Sequence, residues 1–270
     1  MIYVHDRGRM ANNILQYGHF YAWGREHGRQ TMSLRFAYKY QYFNICHTRH
    51  HHFLNYVFAK YAAKWHLLPS LFFDESDLEP DHRMQKEQTM LQHKSIVVSG
   101  WEARWYELFL KYKKDIIRLF TFDDVIEQHV GPLLHDGLRL GVHIRRGDYA
   151  RFYGGRFLYS DDQYLNVIRS FIRNHSDERI TVYVCGNDPN LNHDYYRQQL
   201  EHGEVVFPDG NPGQDLCLLS HCHYLIGAPS TFTLVAAMYR DLPLYWIEDP
   251  EQPVTEDCFK KFDYLFQHIY

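Results

Sequence analysis

The hydrophobic and polar positions of this chain follow two rhythms. In the second half, short apolar runs recur at 138–144 (LRLGVHI), 180–185 (ITVYVC), 204–207 (EVVF), 223–227 (HYLIG) and 243–247 (PLYWI). Stretches with helical spacing lie between them, at about 161–173, 190–202, 214–221 and 230–240, and a last helix is expected over about 255–268. Apolar strands alternating with helices predict a parallel sheet covered on both faces. The first half opens the same way. MIYVH reads as a short strand, DRGRMANN as a Gly-containing turn, ILQYGHFYAWGREHG as a helix and TMSLRFAY (31–38) as a second strand. Ile14, Tyr17, Tyr21 and Ala22 keep helical spacing there, and Gly28 stands near the helix end. From 41 to 95 the rhythm blurs among Tyr, Phe and His. Helices are expected at 53–66 and 81–93, punctuated by Pro69 and Pro80. SIVVSGW (95–101) then reads as a strand, followed by a helix over 103–119. The two halves meet near HVGPLLHDG, residues 129–137, so the expected domains are 1–132 and 133–270. The fold class is α/β, as two units facing a cleft. Ligands of such sheets sit at the carboxyl ends of strands.

Composition changes this picture little. Hydrophobic residues make up 45% and charged residues 23%, ordinary values for a globular protein. A formal net charge of −4, without a polybasic tail, gives no bulk attraction to nucleic acid, so no nucleic-acid partner is expected. The five cysteines (46, 185, 217, 222, 258) are odd in number and include no Cys-x-x-Cys, which argues against a disulfide scaffold and for reduced thiols. Asp6, Arg7 and Arg9 interrupt the opening segment before an apolar stretch can form, so no signal peptide is expected. No run approaches the roughly 18–20 apolar residues of a membrane span. The reading is a cytoplasmic protein without an anchor of its own.

Four places carry candidate chemistry. In GVHIRRGDYA (141–150) strand alternation puts His143 and Arg145 on one face and Arg146 on the other. An arginine there can bind phosphate oxygens with both prongs of its fork, or simply pair with Asp148. In GAPSTFTLVAAMY (227–239), Ser230 and Thr231 open a helix, which serves either as a plain cap or as an anion site at the helix N-terminus. GRMANN (8–13) offers Arg9, Asn12 and Asn13 at the mouth of the first sheet, and fits neither common phosphate-loop pattern. Asp188 follows the strand ITVYVC, and Asp215 lies at a helix start. Either could accept hydrogen bonds from a guanine edge or ribose hydroxyls, and Asp215 could equally be a favourable charge on the helix dipole.

These segments together bear a resemblance. GVHIRRGDY resembles the H-x-R-R-G-D-Y signature of the α-1,2-fucosyltransferases, glycosyltransferase family 11. GRMANNILQYGHFYAWGREHG is similar to that family's N-terminal turn and helix. GWEARWYELFLKYKKDIIRLFTF, VYVCGNDPN and DLCLLSHCHYLIGAPSTFTLVAAMY resemble further family segments in the same order. The resemblance implies two Rossmann-like domains of GT-B type, with acceptor binding on 1–132 and donor binding on 133–270. The last helix is a candidate to pack back on the first domain. It also implies GDP-fucose as donor, no cofactor, no metal, and inverting transfer to a hydroxyl of a β-galactoside-type glycan in α-1,2 linkage. By that likeness Arg145 contacts the donor diphosphate, His143 and Asp215 approach the guanosine, and Ser230 and Thr231 sit at the phosphates. Arg9 and Asn12 reach the donor phosphate and the fucose or acceptor. Arg146 and Asp188 complete the donor-binding set, and Asp148 joins Arg145, Arg9 and Asn12 in the catalytic set. The chain departs from the family at Ala11, Asn13, Cys185-Gly186-Asn187 and Leu234-Val235. These departures bear on acceptor preference more than on donor binding.

Glycosyl transfer from a nucleotide sugar builds negative charge on the departing diphosphate, and fixed donors aimed there lower the barrier. The chain has no strict Asp-x-Asp for a divalent metal, only Glu75-Ser76-Asp77 in a Pro-flanked loop. Arg145 and the helix N-terminus at Ser230 could replace the ion. Glu102 is a base candidate by position alone. The histidines of HTRHHH (47–52), His47 with His50 or His51, have spacing compatible with zinc, yet no nearby Cys or carboxylate but Cys46 completes the set, and they read as structural or surface groups. His221-Cys222-His223 reads as core and cap. A second functional reading is a catalytically silent GDP-sugar or glycan-binding protein on the same fold.

Overall fold

The structure is a computed structural model, and it describes residues 1–186, 188–200 and 203–269. The chain divides between Asp123 and Asp124 into two compact units. The division falls before the expected boundary at 132/133. The reason is a helix that the polar pattern hid, Asp124–Val130, which packs on a helix of the second unit.

The first unit holds four short parallel strands, β1 (Ile2–Val4), β2 (Thr31–Ser33), β3 (Ser70–Phe72) and β4 (Ile96–Ser99), in the order β2-β1-β4-β3. Its helices are α1 (Met10–Glu26), α2 (Phe53–Lys64), α3 (Pro80–Gln92), α4 (Tyr106–Lys111) and α5 (Lys113–Leu119). The helix α1 begins four residues before the expected Ile14 and is buried on almost every side, which is why its periodicity is weak. The expected strand 31–38 stops at Ser33. There the Ser33 hydroxyl accepts from the backbone N–H groups of Arg35 (3.1 Å) and Phe36 (3.2 Å), offering the chain a turn in place of further ladder. The expected helix 103–119 is two helices. Its first residues stay extended because the Trp105 N–H donates to His19 Nδ1 (3.1 Å) instead of starting a helix.

The second unit has five parallel strands: β5 (Leu138–Ile144), β6 (Ile180–Gly186), β7 (Glu204–Val206), β8 (Tyr224–Gly227) and β9 (Leu244–Trp246). They run in the order β7-β6-β5-β8-β9. Its helices are α6 (Asp124–Val130), α7 (Asp161–Asn174), α8 (His193–Gln199), α9 (Pro212–Ser220), α10 (Thr231–Met238) and α11 (Phe262–Phe266). Leu140, Val142 and Ile144 of β5 share a core with Tyr164, Leu165 and Ile168 of α7. Burying each such aliphatic side chain is worth about 1.5–3 kcal/mol. Asn211 begins α9 with a capping box, and Ser160 does the same for α7. The expected helix 255–268 is reduced to a single 3-10 turn and α11. Between them Lys260 exchanges backbone hydrogen bonds with Leu244 and extends the sheet edge. The helix α11 packs on α10.

Candidate active site

In the second sheet the chain winds outward through β6 and β7, then returns to build β8 and β9 on the other side of β5. The reversal opens a crevice beyond the carboxyl ends of β5 and β8, where His143 and Gly227 are register partners. The HIRRGDY and GAPST segments both leave the sheet there. The His143 ring is buried and stacks on Phe232 of α10, with centroids 4.8 Å apart. Arg145 follows just past the end of β5, its N–H donating to the Tyr164 hydroxyl at 3.3 Å. Arg146 points the opposite way, to the start of α7, and donates to Asp161 (2.5 Å) and Asp188 (3.0 Å), while the Tyr196 hydroxyl donates to Asp161 at 2.9 Å.

The two adjacent arginines are therefore spent differently. Arg146 is held between two carboxylates, and with Asp188 it ties the ends of β5 and β6 to α7. Arg146 and Asp188, expected in the donor-binding set, thus lie in an ion-pair network with Asp161 at the start of α7. Among the described residues Arg145 has one charged partner, Asp148, at 2.8 Å, and that carboxylate is half exposed. Its guanidinium lies over the Tyr149 ring (5.3 Å), and its Nε is buried without a hydrogen-bond partner among the described residues. A fork so placed is oriented by the protein and still has donor capacity. Gly147, at φ 72°, turns the chain sharply after Arg146. The Tyr149 hydroxyl then donates to the Pro229 carbonyl and so ties the β5 loop to the β8 loop across the crevice. The family-like signature had not suggested this role for Tyr149.

Ser230 is the N-cap of α10, and its hydroxyl accepts from the Phe232 N–H at 3.1 Å. Thr231 begins the helix, so both lie at its positive end, beside the His143 ring. Asp215 sits in the first turn of α9, which begins at Pro212, before the expected start at about 214. Burial pushes its carboxyl up to about 7, against the lowering effect of a hydrogen bond with Cys185. Cys185 is the register partner of His143, so Asp215 shares the face of His143. Asn187, part of the same expected segment, lies outside the described residues.

The first unit repeats the device in another form. Its sheet reverses between β1 and β4, and the loops HDRGR and GWEAR leave the two strands. Gly8, at φ 89°, makes the turn. Gln16 then clamps the loop, donating to the Arg7 carbonyl (2.7 Å) and accepting from its N–H (3.2 Å). Arg9 is the exposed N-cap residue of α1, and Asn12 lies in its first turn against Gly8. Asp6 is fully buried, and burial pushes its carboxyl up to about 7; the Ser33 hydroxyl donates to it (3.0 Å). Arg104 was not singled out from the sequence. It is buried, stacks 4.0 Å over the Trp101 ring, and has Glu102 as a distant partner at 3.9 Å. Its Nη1 has no hydrogen-bond partner among the described residues. The signal was present, since GWEAR puts charges just past an apolar strand as HIRRGD does. Glu102, the base candidate, is thus paired with an arginine.

The possible metal ligands fall elsewhere. His51 is a core group, its Nε2 accepting from the Ser33 N–H (3.0 Å) and its Nδ1 meeting the Thr48 hydroxyl (2.9 Å). Asp77 is buried against Lys86 at 2.5 Å and caps its own 3-10 turn, so Glu75-Ser76-Asp77 is structural. Among the described residues, one group of three ligand atoms lies within 4.8 Å of one another, that of Glu127, Cys217 and His221. The Arg240 guanidinium stands 3.0 Å from His221 Nδ1 and already supplies positive charge there.

Residues 76–241 match the family model described as glycosyl transferase family 11, and the chain belongs to that family. It is 30% identical over 172 residues to galactoside alpha-(1,2)-fucosyltransferase 1 of Rattus norvegicus, a match covering 57% of this chain and 44% of that protein. The rabbit (Oryctolagus cuniculus) galactoside alpha-(1,2)-fucosyltransferase 2 is 22% identical over 251 residues, which is 87% of this chain and 65% of the relative. The matched region thus spans about half the length of the first of these relatives. Among solved structures, a mutant of Arabidopsis thaliana FUT1 in complex with GDP superposes with a TM-score of 0.63 at 14% identity, covering 96% of this chain and 73% of that one. NodZ alpha-1,6-fucosyltransferase soaked with GDP-fucose gives 0.57 at 15% identity, covering 96% and 98%. Both share the α/β fold with two parallel sheets.

Proposed function

We propose that this chain is an inverting fucosyltransferase that moves L-fucose from GDP-fucose to a hydroxyl of a galactoside-type glycan, in α-1,2 linkage and without a metal ion. The observation that carries the reading is Arg145. Its fork is held at the sheet reversal over an aromatic ring and against a half-exposed carboxylate that a diphosphate could displace, with its buried Nε unbonded among the described residues. As the bond to the fucose anomeric carbon breaks, charge collects on the diphosphate. Arg145 and the N-terminus of α10 at Ser230 and Thr231 meet that charge, favouring the transition state over the ground state. Asp215, as carboxylate, accepts from guanine N1–H and N2–H₂, a pair that uracil and adenine do not offer. His143 lines the same face. Arg9 and Asn12 serve the fucose or acceptor on the strength of the resemblance. The family membership, the GDP-bound neighbours and the galactoside-specific names of the relatives support the donor and acceptor classes. A cytoplasmic location belongs to the same proposal.

The test is GDP release from GDP-fucose with a panel of β-galactosides in excess EDTA, with product linkage read by mass spectrometry after methylation. Turnover with a 2-linked product is expected. A strict need for Mg²⁺ or Mn²⁺ would overturn the metal-free reading. Tight GDP binding with no turnover on any acceptor would favour the silent binding protein.

A further inference from the structure

The helix α2 is apolar on both sides. Tyr56, Ala59 and Ala62 are its buried residues, and the first two share a cluster with Tyr3, Met32 and Val97 on the first sheet. The opposite face of such a helix is normally polar. Here Leu54, Phe58, Tyr61 and Trp65 recur at steps of four, three and four, one stripe along the outer face, and they are 40–72% exposed. Phe53 precedes the stripe and Leu67 follows it, both largely exposed. Single exposed apolar residues need no explanation, but a contiguous aromatic stripe marks a contact surface.

The charge of the chain segment that carries the stripe points to the partner. From His27 to Phe73 the sequence has no Asp or Glu. It has six Lys and Arg (Arg29, Arg35, Lys39, Arg49, Lys60 and Lys64) and six histidines, in a chain whose formal net charge is −4. The exposed Lys60 and Lys64 stand at the edge of the stripe. A second copy of this chain would bring like charges together, and it is disfavoured on that ground. Trp, Tyr and Phe on an outer face flanked by lysines are the pattern of helices that lie in the headgroup region of a bilayer. We propose that α2 is a peripheral docking face that lays its aromatic stripe on an anionic lipid surface. This differs from a span: among the described residues no helix is long and apolar enough to cross a membrane. It is independent of the fucosyl-transfer reading.

The test is flotation of the full chain with vesicles of mixed phosphatidylcholine and phosphatidylglycerol, and with vesicles of phosphatidylcholine alone. The parent should float with the mixed vesicles, much less with the neutral ones, and less as salt is raised. The triple variant L54Q/F58Q/W65Q should lower partitioning by at least about tenfold. Lys60→Gln and Lys64→Gln should lower it by about fivefold each, the effect of one surface cation near anionic lipid. All five positions are exposed, so circular dichroism and thermal melting of the variants should match the parent. Failure of the parent to float with anionic vesicles would overturn the proposal, as would a triple variant that floats equally well. A parent that forms dimers, lost in the triple variant, with no flotation would assign the face to a second copy and overturn it too.

Discussion

At the carboxyl ends of the two sheets, the same problem is solved with opposite outcomes. Both first strands, β1 and β5, run into a charged loop turned by a left-handed glycine, Gly8 in one and Gly147 in the other. In the first unit the buried charge nearest the strand, Asp6, is closed in by the Ser33 hydroxyl, and Arg35 donates to its backbone carbonyl. In the second unit the charge nearest the strand, Arg145, keeps a buried nitrogen unbonded among the described residues and rests on a half-exposed carboxylate. Arg146, one residue on, behaves like Asp6 and is fully engaged. A charge at a strand end is thus no sign of a ligand site by itself. What separates the two cases is whether the protein has already used its hydrogen bonds.

The contrast can be broken most sharply at Arg145. Arg145→Ala should lower turnover by about 10²- to 10³-fold, the effect of deleting a fixed donor to developing negative charge. Lysine should not rescue it, because a point charge lacks the fork. An alanine variant with near-parent kcat and an unchanged melting temperature would remove Arg145 from the mechanism.

Asp215→Asn should weaken GDP binding roughly ten- to a hundredfold, the loss of charge-assisted hydrogen bonds worth about 1.5–3 kcal/mol, and leave UDP binding nearly unchanged. Because the Asp215 carboxyl is pushed up to about 7, it is protonated at lower pH. GDP affinity in the parent should therefore rise with pH through about 7, and the Asn variant should lose that dependence. Calorimetry at several pH values checks both, and equal affinity of the parent for UDP and GDP would break the guanine assignment.

Arg146→Ala tests the engaged class. It leaves Asp161 and Asp188 facing each other without a cation, and it should cost stability, on the order of 2 kcal/mol given their partial exposure. Denaturant unfolding of the variant reads this loss. A variant as stable as the parent but with Arg145-like kinetics would reverse the roles assigned to the two arginines.

Asp6→Asn should show the smallest effect. The folded-state carboxyl is raised to about 7, above its usual value of 3.8, so the folded state holds a proton that the unfolded state has released. Its contribution to stability is then present at low pH and lost as pH rises from about 4 through about 7. The Asn variant should flatten that part of the stability–pH curve, seen as convergence of melting temperatures at acidic pH.

The same contrast explains how far the fold and site could be read. The second unit was legible because its strands β5 and β6 are seven residues long and its helix α7 keeps one apolar face. The first unit was legible in its helices near 53–66 and 81–93 and its strands near 1–5 and 95–101, but the end of β2 and the start of α1 were misplaced, because its strands have three or four residues and α1 is buried nearly all round. The Pro-bounded strand Ser70–Phe72 and the polar-looking helix Asp124–Val130 gave no periodic signal.

The sequence by itself determined the alternation of strands and helices in the second unit, the placing of His143 and Arg145 at the end of one strand, and the family-like signature around them. These follow from local periods and spacings that no packing partner can alter. Which arginine stays available, that Asp215 sits beside Cys185 with a raised carboxyl, and that Tyr149 ties the β5 loop to Pro229 were decided by tertiary structure alone. Each depends on a group distant in sequence whose approach sets burial and hydrogen-bond supply, and no local pattern encodes that approach.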